Sequence, residues 1–251
     1  MKLKAIACNV FMREVAHCIA RSPHVIDVEF TELGEHVHSD TLRSLLQAKI
    51  DAASAAATPY DAIVLGFGIC GNAGIGLKAR TTRLVLPRAH DCCTILLGSR
   101  ERFQEHFADH PSTPFSSAGY MERGEYYLRV EDGKTQLHYG DAYASYVEQY
   151  GEENAKYIWE TMHPQHTDDS NRAVFIDLPE TRHLGYAARF RAAAEAEGKQ
   201  VVCLEGSLAL VRKLLDGQWG PEEFLVVEPG WETAGVYDWS AIVRSKPTAS
   251  D

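Results

Sequence analysis

The sequence predicts an α/β protein with a Rossmann-like, mostly parallel sheet flanked by helices. Short apolar runs of strand length alternate with stretches of helical periodicity. Runs such as "AIVLG" and "LVLP" are apolar throughout, as strands covered on both faces are. Glycines, thiols and acids gather where these runs end, the rim at which open parallel sheets bind ligands.

Taken in order, residues 3–11, "LKAIACNVF", read as a buried strand, and "MREVAHCIARS" as a helix with Val15 and Ile19 on its apolar face. "VIDVEFTEL" is a second strand with alternation at Val28 and Phe30. "SDTLRSLLQAKIDAASAAA" is a helix capped by Ser39, with Leu42, Leu45, Leu46 and Ile50 as its stripe. "DAIVLGFG" reads as a central strand, "RLVLPRAHD" as the next, and "CTILLGSRERFQEHF" as a single helix. The middle of the chain breaks this rhythm. "GEYYLRVEDGKTQLHYGD" suggests a hairpin about Asp132-Gly133, followed by an amphipathic aromatic helix carrying Tyr143, Tyr146, Tyr150, Tyr157 and Trp159.

From residue 172 the alternation returns. "AVFIDLP", "QVVCLEGS" and "EFLVVEPG" read as strands. "HLGYAARFRAAAEAEG", ending at Gly198, and "LALVRKLLDG" read as helices. The tail "SKPTASD" is polar and expected to fray. The expected organisation is an N-terminal α/β lobe over 1–110, a hairpin and aromatic helical insertion over 111–170, and a C-terminal α/β lobe over 171–251. A single wide sheet would join the lobes into one continuous domain. The 251 residues are enough for a substantial core either way.

Charge narrows the partners. The net charge of −10 argues against nucleic acid or an anionic membrane surface, which both call for a basic footprint. No apolar run reaches bilayer-spanning length. The opening "MKLKAIACNVF" has a short apolar run and no small-residue cleavage site, so it reads as a strand rather than a signal peptide, and a cytoplasmic protein is expected. Six cysteines in a cytosolic chain of this size point to reduced thiols that are buried, catalytic or metal-bound, rather than to a disulfide framework.

The strand-end rule gathers the chemistry. Cys8 ends the first strand, Cys70 lies in "GFGICGNAGIG" beyond the third, and His90, Asp91 and Cys92 follow the fourth. Thiolate and imidazole are the usual ligands of zinc, and soft thiolates also suit iron and iron–sulfur centres. Cys8, Cys70, His90 and Cys92 are therefore the candidate metal ligands. Asp91 is a base, a further ligand or the partner that orients His90. Arg88 suits bidentate binding of a carboxylate or phosphate. Gly66-x-Gly68-x-x-Gly71 matches the spacing of a dinucleotide loop, but it does not open the first βαβ unit; Gly68 and Gly71 equally let backbone pass close to a cofactor or metal. Without metal, Cys92 at a helix start is a candidate nucleophile. Each residue alone also has an ordinary packing role; their convergence makes the site.

"LKAIACNVFMREV", "DAIVLGFGICGNAGIGL", "LVLPRAHDCCTILLGSRERF" and "YVEQYGEENAKYIWETM" together resemble an uncharacterised bacterial and archaeal family, the domain of unknown function numbered 1638. Its most specific parts are the Arg-Ala-His-Asp-Cys run and the Gly-Cys-Gly-Asn loop. The resemblance extends to Cys8, Cys70, Gly71, Asn72, Arg88, His90, Asp91 and Cys92, and adds Asn72 to Asp91 and Arg88 as candidate catalytic residues. Cys93 receives no family role. Members occur in organisms with corrinoid and one-carbon methyl-transfer chemistry, which implies methyl or sulfur metabolism as context, and a methyl-transfer partner protein or a homo-oligomer as the assembly.

These readings favour a zinc- or iron-dependent transferase-type enzyme acting on a small molecule. One alternative is a metal-independent two-cysteine enzyme. "ACN" at residues 7–9 is faintly similar to the first motif of the Asp/Glu racemases, with Cys203 as partner, although their Gly-Cys-Thr motif is absent. The other is a carrier of a metal or cofactor, without the Asp-x-His-x-x-Gly motif of corrinoid carriers.

Overall fold

A computed structural model describes residues 1–32, 39–70, 72–108, 113–123, 172–236 and 241–248. It contains, in chain order, β1 (Lys2–Cys8), a 3-10 turn (Asn9–Phe11), α1 (Met12–Ile19), β2 (Val25–Thr31), α2 (Ser39–Ser54), β3 (Ala62–Gly66), β4 (Leu84–Pro87), α3 (Cys92–Leu97) and α4 (Arg100–Phe107). There follow β5 (Phe115–Ser117), α5 (Ala118–Arg123), β6 (Arg172–Asp177), a 3-10 turn (Arg182–Leu184), α6 (Tyr186–Ala196), β7 (Gln200–Glu205), α7 (Ala209–Leu215), β8 (Phe224–Val227), β9 (Trp231–Gly235) and β10 (Val243–Pro247). The hairpin and aromatic helix expected at 124–160 lie outside the described residues.

The protein is mixed α/β with a mostly parallel central sheet. That sheet has five strands in the order β2-β1-β3-β4-β8, and β1 to β4 run parallel. The strand expected at "EFLVVEPG" is present as β8, where it pairs antiparallel with β4. A second sheet, β5-β6-β7, is wholly parallel, and β9 and β10 form an antiparallel pair. Sheet pairing crosses the expected segment boundaries: β5 extends the sheet of β6 and β7, while β8 returns to the first sheet.

Alternation along the strands sets the layers. Ala5, Ala7, Val64 and Gly66 face Phe11 and Val15 of the following turn and α1, and Leu210, Val211, Leu214 and Leu215 of α7. The opposite face carries Lys4 and Glu29, and Lys49 of α2 closes over them with an ion pair to Glu29. One hydrophobic core joins both sheets, since Val174, Ile176 and Leu178 pack into the cluster of β1, β3 and β4. Phe175, Phe190, Ala173, Ala194 and Met121 form a smaller core between β6 and α6.

Two details depart from the sequence reading. The helix expected through residues 93–107 is two helices. Gly98 takes the left-handed conformation (φ +81°) that ends α3, and the Ser99 side chain caps α4 by accepting from the N–H of Arg102. The first residues of the tail expected to fray are in a strand: Ser245–Pro247 pair with Trp231–Thr233 in the β9–β10 ladder.

Candidate functional site: a three-thiol rim

Strand order reverses between β1 and β3, so the space beyond their carboxyl ends is where this topology leaves a crevice. Cys8 is the last residue of β1 and fully buried. Cys70 lies four residues beyond β3 and is half-buried. Cys92 opens α3 just after β4 and is buried. β1, β3 and β4 are neighbours, so these three cysteines come from adjacent strand ends.

The loops that carry them are tightly packed. A Cβ on Gly68 would lie 2.7 Å from both Cα and N of Asp91, so only glycine fits there. The close approach lets Ile69 N–H donate to Ala89 O (3.0 Å) and Cys70 N–H donate to His90 O (3.2 Å), zipping one loop to the other. Cys70 (φ +40°) and Asn72 (φ +72°) take left-handed conformations on either side of Gly71, which lies outside the described residues. Asparagine tolerates this region; for cysteine it is strain, a feature that clusters at functional sites.

Hydrogen bonds link the thiols to a residue that the sequence reading missed. The Cys92 thiol bonds to Cys70, which favours its protonated form, and accepts from the Tyr120 hydroxyl, which favours the thiolate. The bond to Cys70, burial, and the charges of Cys70 and Asp91 push the Cys92 thiol well above its ordinary range. The Tyr120 hydroxyl is also pushed up, first by burial and then by Cys92, Cys8 and Cys70. No cation figures among the leading influences on Cys92 or Tyr120. Tyr120 reaches the rim because Gly119 seats α5 directly on the backbone of Val10. Its only sequence signal is the run of small residues "SSAG" before it.

The rim has polar neighbours. The Asn9 amide donates to Glu32 at 2.9 Å, and its Oδ1 lies 4.0 Å from Cys8 Sγ. Thr31, paired in register with Cys8, keeps its buried Oγ1 without a hydrogen-bond partner among the described residues.

The other predicted residues lie elsewhere or are engaged. His90 is exposed and stacks on Phe103 (centroids 6.3 Å apart, 11° between planes), in a recess with Thr94, Arg100, Gln104 and Ile242. Asp91 caps α3 by accepting from Thr94 N–H at 3.2 Å; burial raises its carboxyl pKa, with His90 pulling it down. Arg88 donates to three backbone carbonyls, of Pro221 (2.8 Å), Ala241 (2.9 Å) and Val243, and burial lowers its pKa. It clamps the loop before β8 to the start of β10. Arg88→Ala is expected to cost about 2–4 kcal/mol by leaving these carbonyls unpaired, with the thiol rim intact; urea unfolding and thiol titration would measure both. The Asn72 side chain is exposed, and its carbonyl accepts from Arg43 at 2.9 Å. Cys93 is fully buried in the core, and Cys203 is exposed within β7, away from the rim of β1, β3 and β4.

Among the described residues, no group of three or more His, Cys, Asp or Glu side chains is arranged to hold a metal ion. Nor is any helix among them long and apolar enough to cross a membrane.

Fold and site define a class: an α/β protein with three thiols, two buried and one half-buried, at the carboxyl rim of its central sheet. The family described as protein of unknown function (DUF1638) matches residues 30–215, and the chain belongs to that family. No curated protein and no solved structure matches it.

Proposed function

We propose that this protein is an enzyme that acts on a small molecule at the thiol rim, with a soft metal ion, zinc or iron, bound by Cys8, Cys70 and Cys92. The observation that carries this is the convergence of three thiols from three adjacent strand ends, with a sulfur–sulfur hydrogen bond between two of them. No cation is among the leading influences on Cys92, and a bound cation would hold the thiolate charge that the Tyr120 hydroxyl alone favours. The three thiols are not arranged as a preformed metal site among the described residues, so a metal would have to draw them together, and it would then leave a further position to substrate. His90, turned toward Phe103, is left out of the ligand set.

A metal held by Cys8, Cys70 and Cys92 would bind and deprotonate a substrate thiol, and the chemistry proposed is alkyl transfer to that sulfur. The sulfur forms a bond to the alkyl carbon while the bond to the donor breaks, and the electron pair leaves with the donor. Methyl or sulfur metabolism, a Rossmann-like two-lobed organisation, a cytoplasmic location and a homo-oligomer or methyl-transfer partner protein are parts of this reading. Its second form is metal-free. The Cys70–Cys92 hydrogen bond also suits a dithiol working as an acid–base or redox pair.

Elemental analysis of protein purified without oxygen or added metal distinguishes the two. We expect about one zinc or iron per chain, lost in Cys8→Ala, Cys70→Ala and Cys92→Ala but kept in His90→Ala. Metal-free wild-type protein that also takes up no added zinc or iron would overturn the metal reading, and formation of a Cys70–Cys92 disulfide under mild oxidation would then support the dithiol.

A further inference from the structure

One carboxylate stands behind the end of β1, joined to Cys8 through an amide. Cys8 and Thr31 are the last partners in the β1–β2 register, so the residues that follow them, Asn9 and Glu32, leave the sheet side by side. The Asn9 side chain, 5% exposed, spans the gap between sulfur and acid. Its Nδ2 donates to Glu32 Oε2 at 2.9 Å, and the Cys8 thiol donates to its Oδ1 over 4.0 Å.

The carboxylate fixes which way the amide faces. A carboxylate only accepts, so it takes the NH2 end and leaves the carbonyl oxygen turned to the sulfur. That orientation suits a free thiol, which donates to the oxygen, and opposes a metal-bound sulfur, which only accepts. When a metal ligates Cys8 and its proton leaves to solvent, sulfur and Oδ1 would face each other as two acceptors. Turned over, the amide would give an N–H to the sulfur, as neighbours of metal ligands commonly do. The turned amide would then point Oδ1 at Glu32, again acceptor to acceptor.

We propose that Glu32 is a positioning residue that acts through Asn9 to oppose metal uptake at Cys8, and that the Asn9 amide turns over when Cys8 ligates. This rests on the metal reading of the thiol rim. The sign of the effect is its signature. A carboxylate near a bound cation attracts it, so removal of the charge alone would weaken binding. Removal of the positioning effect strengthens binding instead, because glutamine can donate to the Oδ1 of the turned amide.

The test is the affinity of full-length, reduced protein for zinc or cobalt(II), measured without oxygen by competition with a chromophoric chelator at fixed pH and ionic strength. Glu32→Gln, at an exposed position, should bind about tenfold tighter than the wild type. In an Asn9→Ala background Glu32→Gln should bring no such gain, since no amide is left to orient. Asn9→Ser gives the same comparison should Asn9→Ala fold poorly. Equal or weaker binding by Glu32→Gln, with the wild type still binding, would overturn this proposal and leave the metal site standing. A gain that survives removal of the Asn9 amide would overturn it as well. If neither the wild type nor Glu32→Gln takes up metal, the metal reading falls and this proposal falls with it.

Discussion

In buffer free of divalent cations, Glu14→Gln should gain about 3 kcal/mol on the wild type between about pH 4 and about pH 8, whatever its starting difference. The cause is burial, which raises the Glu14 pKa from 4.5 to about 7; its own backbone N–H and Arg13 act in the other direction, and Glu122 and Glu180 add to the rise. The sign follows from which state holds the proton. Below the unfolded pKa both states are protonated and the group costs nothing electrostatically. As pH rises the unfolded chain ionises first, so stability is lost progressively, and the loss is complete once the folded pKa is passed. Glutamine has no such titration. Its buried amide carries a desolvation cost of its own, but that cost does not depend on pH, so the slope of the difference isolates the carboxyl. Urea midpoints of both proteins across this range would measure it. Parallel curves would show that Glu14 is solvated or partnered in solution.

Much of the first sheet is legible in the sequence for one physical reason. Strands covered on both faces need apolar residues throughout, and "AIVLG" and "LVLP" supply them, as "LKAIAC" does except at Lys4. The partition into two sheets is not legible in this way. β5 is the three-residue "FSS", too short for any periodicity, and it is held by pairing with β6 rather than by its own preference. Nor does "FLVV" state its direction; β8 runs antiparallel because of where the chain comes from, not because of its residues. The break between α3 and α4 was readable, since Gly98-Ser99 joins a left-handed stop to an N-cap, and the apolar residues on both sides masked it.

The same contrast holds at the site. Cys8, Cys70 and Cys92 follow from the rule that parallel strands present their carboxyl ends to ligand. His90 does not, because side-chain direction beyond a strand end is set by the turn. Asp91 turns inward to cap α3, and His90 is left outside against Phe103. Arg88 looked like an anion binder, but its guanidinium satisfies backbone carbonyls that belong to segments more than a hundred residues away.

Gly119→Ala should be the most disruptive single-methyl change in the rim. The added Cβ would stand 1.7 Å from the carbonyl oxygen of Val10 and 2.7 Å from its carbon, and both are backbone atoms that cannot swing aside. Val10 is buried in the 3-10 turn that leads from Cys8 to α1, so the turn cannot yield without moving Cys8. α5 must therefore lift away. Its other contacts resist this: Tyr120 packs edge-on against Phe115 at 5.5 Å, and Met121 is buried against β6 and α6. Overpacking against rigid neighbours costs about 1–3 kcal/mol in ordinary cores, and with no side chain available to give way the upper end or more is expected here. The consequence for the site is specific. As α5 lifts, Tyr120 loses Cys92, the hydrogen bond that favours the Cys92 thiolate is lost, and water reaches sulfur that burial now protects. Faster alkylation of Cys92 by iodoacetamide, followed by mass spectrometry of the peptide, should accompany a lower melting temperature. Tyr120→Phe separates the two effects, because it keeps the ring against Phe115 and removes only the hydroxyl; it should leave stability nearly unchanged and still alter Cys92 reactivity. If Gly119→Ala melts with the wild type and its Cys92 remains as slow to react, then α5 does not rest on Val10, and Tyr120 has no place at the thiol rim.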